Sequence, residues 1–194
     1  KPGDPVARQP LYTNYVQAVD NSLFAAVDQN LLNGFKPLLT EYPINVYDFY
    51  RIDRFISPGF AFTDAAQWNA DISSMLTDLG PAKQVNVIVV VAKTADRSYT
   101  AALRTKWEGA NKNDVVLVIG SLDGSKIEFA DVITWSKNEI FKVELLDKVN
   151  TIGIISRPQI MDALKAQIAK SFERRHMREF EYLQGEISPS DTVV

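Results

Sequence analysis

Three aspartates offer the clearest chemistry in this sequence: Asp64, Asp96 and Asp123. Carboxylates gathered in one place repel unless a cation joins them. Calcium suits such an oxygen-rich set, with backbone carbonyls and water completing its shell. Each aspartate also has a sufficient local role. Asp64 and Asp96 stand where helix caps are needed, and Asp123 opens an Asp-Gly turn.

Other chemistries fare worse. The chain has no cysteine, so disulfides, thiolate catalysis and iron–sulfur clusters are excluded. Its single histidine, His176, falls on a charged helical stretch with no sign of a paired serine, and one histidine makes a zinc hydrolase centre improbable. Residues 120–124 (GSLDG) lack the lysine and following helix of a phosphate loop. Asn111, Asn113, Asp114, Trp135 and Ser136 fall at the far end of the expected sheet, where Asn and Asp chiefly shape turns. The segment 38–62 is dense in rings. These either close one end of the core or form a contact surface, for which Tyr47, Phe49, Tyr50 and Phe55 are the candidate residues.

The elements that must position these residues are well punctuated. Residues 86–92 and 115–119 are apolar on both faces, as in strands covered by helices above and below. Between them, residues 97–108 repeat Tyr99, Leu103 and Trp107 four apart, so the two strands run parallel through a right-handed crossover. Asp123-Gly124 then turns the chain into an antiparallel strand over 126–133. Helices are expected over 14–33, stopped by Gly34, and over 65–79, stopped by Gly80-Pro81. Ser136 and Glu139 have capping-box spacing ahead of another helix, and a long last helix is expected over 158–184. The fold class is therefore α/β: a three-layer α/β/α sandwich with a small mixed sheet (a parallel pair plus an antiparallel hairpin strand) and a long C-terminal helix. A helix over 65–79 is about 22 Å long, close to the length of the strand 86–92. Packed against it, the helix would bring Asp64 near the carboxyl end of the strands, beside Asp96 and Asp123, where ligands favour open α/β sheets.

At 194 residues and 46% hydrophobic content, the chain has ample material for one core. A net charge of −3 argues against a nucleic-acid partner. The basic group Arg174, Arg175, His176 and Arg178 is diluted by Glu173, Glu179 and Glu181. No apolar run approaches the roughly 18 residues a membrane helix needs. The first residue is Lys1, which suggests a processed or excised piece whose flanks could hold an anchor.

The motifs FTDAAQW (62–68), VNVIVVV (85–91), KWEG (106–109), KNDVVLVIG (112–120) and KIEF (126–129) together resemble the TPM domain family over about residues 62–175. The resemblance implies an extracytoplasmic α/β/α domain tethered by a membrane helix, with calcium binding and, for some members, phosphatase activity; others serve assembly of membrane complexes. Members usually carry a basic residue where this chain has Leu122-Asp123-Gly124, and a glycine-rich stretch where it has ADVITWSK (130–137). These departures tell against carrying over an enzymatic role.

Three functions are thus in view. The first is a non-catalytic binding or assembly module contacting a protein partner or membrane complex, touching the membrane only through flanking segments. The second is a calcium- or magnesium-dependent phosphatase using the aspartates. The third is a structural component of a larger particle. The expected organisation is an arm, helix and aromatic segment over 1–60, a TPM-like domain over 61–185 and a polar tail over 186–194.

Overall fold

A computed structural model describes residues 29–43, 53–176 and 178–179. The chain divides into two compact units, Val27–His176 and a second made of Lys1–Ala26 with Met177–Val194. Of the second, only Arg178 and Glu179 are described. The elements of the first unit are, in order, α1 (Gln29–Phe35), β1 (Phe55–Ile56), α2 (Ala65–Lys83), β2 (Asn86–Lys93), α3 (Ser98–Lys106), β3 (Asp114–Ser121), β4 (Phe129–Thr134), α4 (Glu139–Ile152) and α5 (Arg157–Ser171).

The sheet order is β1-β2-β3-β4. β2 and β3 run parallel in register from Asn86↔Asp114 to Lys93↔Ser121. β4 returns antiparallel beside β3, and the short β1 adds a second parallel neighbour to β2. This is the expected α/β sandwich, with one extra strand.

Side-chain alternation divides the sheet cleanly between two cores. Val87, Val89, Val91, Val115, Leu117 and Ile119 face a core shared with α2, α4 and α5. Ile88, Val90, Ala92, Val116 and Val118 face the other, shared with Tyr99 and Leu103 of α3 and with the adjacent Trp107. Helices on both faces explain why β2 and β3 tolerate no polar alternation. Residues 35–42 lie along α3 as a strap. The Tyr99 hydroxyl donates to the Leu38 carbonyl at 3.1 Å, and Trp107 Nε1 donates to that of Thr40 at 2.9 Å.

Several local expectations are corrected. α2 continues through Gly80-Pro81 to Lys83 and ends at Gln84, which takes a left-handed φ of 52°. A proline so near the last turn forfeits little of the ladder. α1 runs past Gly34 by one residue; the rest of the helix expected over 14–33 lies outside the described residues. The cap of α4 is Asn138, whose side chain accepts from the Ile140 N–H at 3.0 Å. Ser136 Oγ instead accepts from the backbone N–H groups of Asn138 and Glu173, while Glu139 pairs with Lys142. α5 ends at Ser171, and residues 172–176 leave the helix expected over 158–184; residues 180–184 of that helix lie outside the described residues. Phe172 turns extended and buries its ring edge-on against Phe141, at 5.6 Å between centroids.

Candidate functional site

The carboxyl end of the parallel strands holds all three candidate aspartates, yet each carboxylate is engaged separately. β3 delivers the chain into the loop that contains Asp123. Asp123 Oδ1 accepts from the backbone N–H groups of Ser125 and Lys126 at 2.8 and 2.9 Å. Those backbone bonds, Lys126's first, pull its carboxyl down to about 2. Asp96 Oδ1 accepts from the Ser98 N–H at 2.9 Å, and its carbonyl from the Tyr99 N–H at 3.1 Å, so it starts α3. Asp64 stands at the head of α2 without a side-chain capping bond. Its carboxylate instead lies 3.5 Å from Arg157 Nε on α5, and Arg157 Nη1 also pairs with Asp71 one face along α2. Among the described residues, no group of three or more His, Cys, Asp or Glu side chains is arranged to hold a metal ion. The three aspartates therefore share an end of the sheet without converging on one point.

The same end carries exposed aliphatic side chains. Leu122 is 57% exposed and Ile154 is 54% exposed. The backbone beneath them is firmly tied. Lys126 and Ile154 form an antiparallel bridge, Ile127 N–H donates to the Gly153 carbonyl at 3.0 Å, and Ile155 N–H donates to that of Ser125 at 2.6 Å. Phe60 and Phe62, half-buried and packed edge to face, border this ledge at Gly124.

Phe55 does not belong to a contact surface. It is 5% exposed, stacked on Trp68 at 4.7 Å and set edge-on to Phe62. The reason is strand geometry: β1 turns this ring toward α2, where Asn69 Oδ1 accepts the N–H groups of Arg54 and Phe55 and holds the strand in place. Tyr47, Phe49 and Tyr50 lie outside the described residues.

The amino end of the strands holds a buried polar network. Asp114, the first residue of β3, is fully buried. It accepts from Asn86 Nδ2 at 2.9 Å, from the Tyr42 hydroxyl at 2.7 Å and from the Asn111 N–H at 2.8 Å. Burial pushes its carboxyl up, against these bonds, which pull it down. Arg54, also buried, donates through Nε to Asn86 Oδ1 at 3.0 Å, and burial lowers its pKa. The network closes the strap onto the sheet. Of its members, Tyr42, Arg54 and Asn86 were not singled out by the sequence. Their partners lie 72, 32 and 28 positions away, so no local spacing announces them. Beside it, Glu108, Gly109 and Ala110 all take positive φ, a strained turn anchored by Trp135 Nε1 donating to the Gly109 carbonyl at 2.9 Å.

No family model matches the chain, and no curated protein matches it. Among solved structures, it is similar to the solution NMR structure of the N-terminal domain of a protein from P. gingivalis. The two are 12% identical, with 70% of this chain and 84% of that one covered and a TM-score of 0.38, a likeness too loose to bear on function.

Proposed function

We propose that this chain is a non-catalytic binding or assembly module, similar in plan to a TPM domain and tethered to a membrane outside the cytoplasm. The observation that carries the proposal is the ledge at the carboxyl end of the sheet. Leu122 and Ile154 remain in water; the Lys126↔Ile154 bridge ties the backbone of Ile154, and the Ser121 and Asp123 side chains brace the loop that carries Leu122. Aliphatic side chains presented together on fixed backbone suit contact with a protein partner, at little cost in ordering. The carboxylates of the same end support this reading through their engagements: a turn for Asp123, a helix start for Asp96 and an interhelix ion pair for Asp64.

The test is a double variant, Leu122→Ser with Ile154→Ser, expressed in the native host. Wild-type chain is expected in a larger complex on native gels of solubilised membranes, and the variant as free chain with an unchanged thermal midpoint. Equal migration of the two would remove the ledge as the contact. Calcium- or magnesium-dependent hydrolysis of a phosphate ester by the purified chain, lost in Asp123→Asn, would replace the proposal with the phosphatase reading.

A further inference from the structure

The strap lies over α3, and the two sides of that contact differ. On the α3 side, Tyr99 and Leu103 are fully buried and Trp107 is 3% exposed. On the strap side, none of residues 29–43 is fully buried. Phe35, Leu38, Leu39 and Tyr42 are partly covered and lie against the core beneath. An apolar interior is thus closed by a segment that stays largely in water.

The strap is also fastened in its own way. Among the described residues, its backbone–backbone hydrogen bonds stay within residues 33–39, as where the Leu38 and Leu39 N–H groups donate to the Phe35 carbonyl. These bonds tie the segment to itself and not to the sheet. Side chains hold it to the domain. Tyr99 and Trp107 donate to its carbonyls, and their rings meet Phe35 and Tyr42 edge-on at 5.6 and 5.3 Å. Lys106 pairs with the exposed Glu41, a contact that water weakens. Tyr42 reaches the buried network, donating to Asp114 at 2.7 Å and accepting from Asn111 Nδ2 at 2.7 Å. One group works against closure. Thr40 Oγ1 is buried with no hydrogen-bond partner among the described residues, and an unpaired hydroxyl opposes the state that buries it.

We infer that residues 35–42 form a detachable cover, which lifts off α3 as a unit while the sheet stays folded, with the Tyr42–Asp114 bond as its latch. Local opening belongs to segments with few buried apolar groups and no share in the central ladder. The strands beneath do not need the strap for their pairing: β2, β3 and β4 keep their ladder when it lifts. Tyr42 is the latch because its partner Asp114 is fully buried, so breaking this bond leaves Asp114 and Asn111 each short of a partner. Opening brings Tyr99, Leu103 and Trp107 into water together. The device is separate from the contact proposed at Leu122 and Ile154 and does not rest on it.

Hydrogen exchange of the full, isotope-labelled chain, followed by NMR across a urea series, tests it. Two probes are compared: the Trp107 indole N–H, bonded to the strap, and the Leu117 amide at the centre of the sheet. After correction for intrinsic rates, the indole should be protected at least about a hundredfold less than the amide. Its rate should barely change in sub-denaturing urea, while that of Leu117 climbs steeply. Tyr42→Phe should speed indole exchange about tenfold and keep the shallow slope. Lys106→Ala should change it by less than about twofold. Equal protection and equal urea slope at the two probes would make the strap part of the cooperative core and overturn the inference. A Tyr42→Phe indole that exchanges like wild type, or no faster than in Lys106→Ala, would overturn the latch. The wild-type comparison stands whether or not either variant folds.

Discussion

Asp114 and Asp123 stand at the start of β3 and just past its end, and their carboxyls are pushed in opposite directions. Asp114 is sealed in the interior, and desolvation raises it despite three donors. Asp123 is in water, and two backbone N–H groups lower it to about 2. The same side chain thus serves the two ends differently. At the amino end it is part of the fold's internal fastening. At the carboxyl end it shapes a loop and keeps its charge outside. The contrast shows that a strand-end aspartate is not by itself a ligand; its donors decide what it does.

The largest effect expected from breaking this contrast comes from crowding the carboxyl end. A Cβ on Gly120 would lie 2.0 Å from the Phe129 ring, which is itself buried. Gly120→Ala should cost about 3 kcal/mol in urea unfolding and displace the hairpin that carries Leu122.

Asp114→Asn comes next. An amide offers one acceptor oxygen where the carboxylate has two, so one donor among Asn86, Tyr42 and Asn111 loses its bond. The expected loss is about 2 kcal/mol at neutral pH. The pH dependence sharpens the point. A folded pKa raised above 3.8 means that the native state holds its proton more tightly, so this group's contribution is complete below that value. It is lost as pH rises through the folded pKa. Stability of Asp114→Asn should therefore fall less than that of wild type over this interval.

Arg157→Gln should cost about 1 kcal/mol or less, because the guanidinium and both carboxylates are partly in water. Chemical denaturation with and without high salt would show the difference shrinking as salt is added.

The smallest effect is Asp123→Asn, and its sign is opposite to that of Asp114. A folded pKa of about 2 gives stability that is present above 3.8 and lost as pH falls toward 2. The variant should lose this contribution at neutral pH, a small loss because the group lies in water, and so show a flatter acid limb of the stability curve.

Much of the scaffold was legible in the sequence for simple reasons. Unbroken apolar runs over 86–92 and 115–119, separated by a helix-length connection, require a buried parallel pair. Asp123-Gly124 announced its turn because the role is local. Phe55 was misread because a dense aromatic run does not say which side of a two-residue strand faces inward. The end of the last helix was missed because Phe172 leaves helical geometry for a tertiary contact with Phe141, against a pattern that continues. The candidate aspartates fall at the carboxyl end of the sheet, Asp64 by the matched lengths of helix and strand, and Asp96 and Asp123 because they follow two parallel strands. Arg157 then separates Asp64 from the others, and nothing near residue 64 predicts a partner on α5.

Site-specific photocrosslinking in the native host tests the central claim most directly, with the probe placed in turn at Leu122, at Ile154 and at exposed Lys165 on α5. A discrete protein adduct from positions 122 and 154, absent from 165, is the predicted result. No adduct from the ledge, or the same adduct pattern from all three positions, would contradict a dedicated contact at the carboxyl end of the sheet.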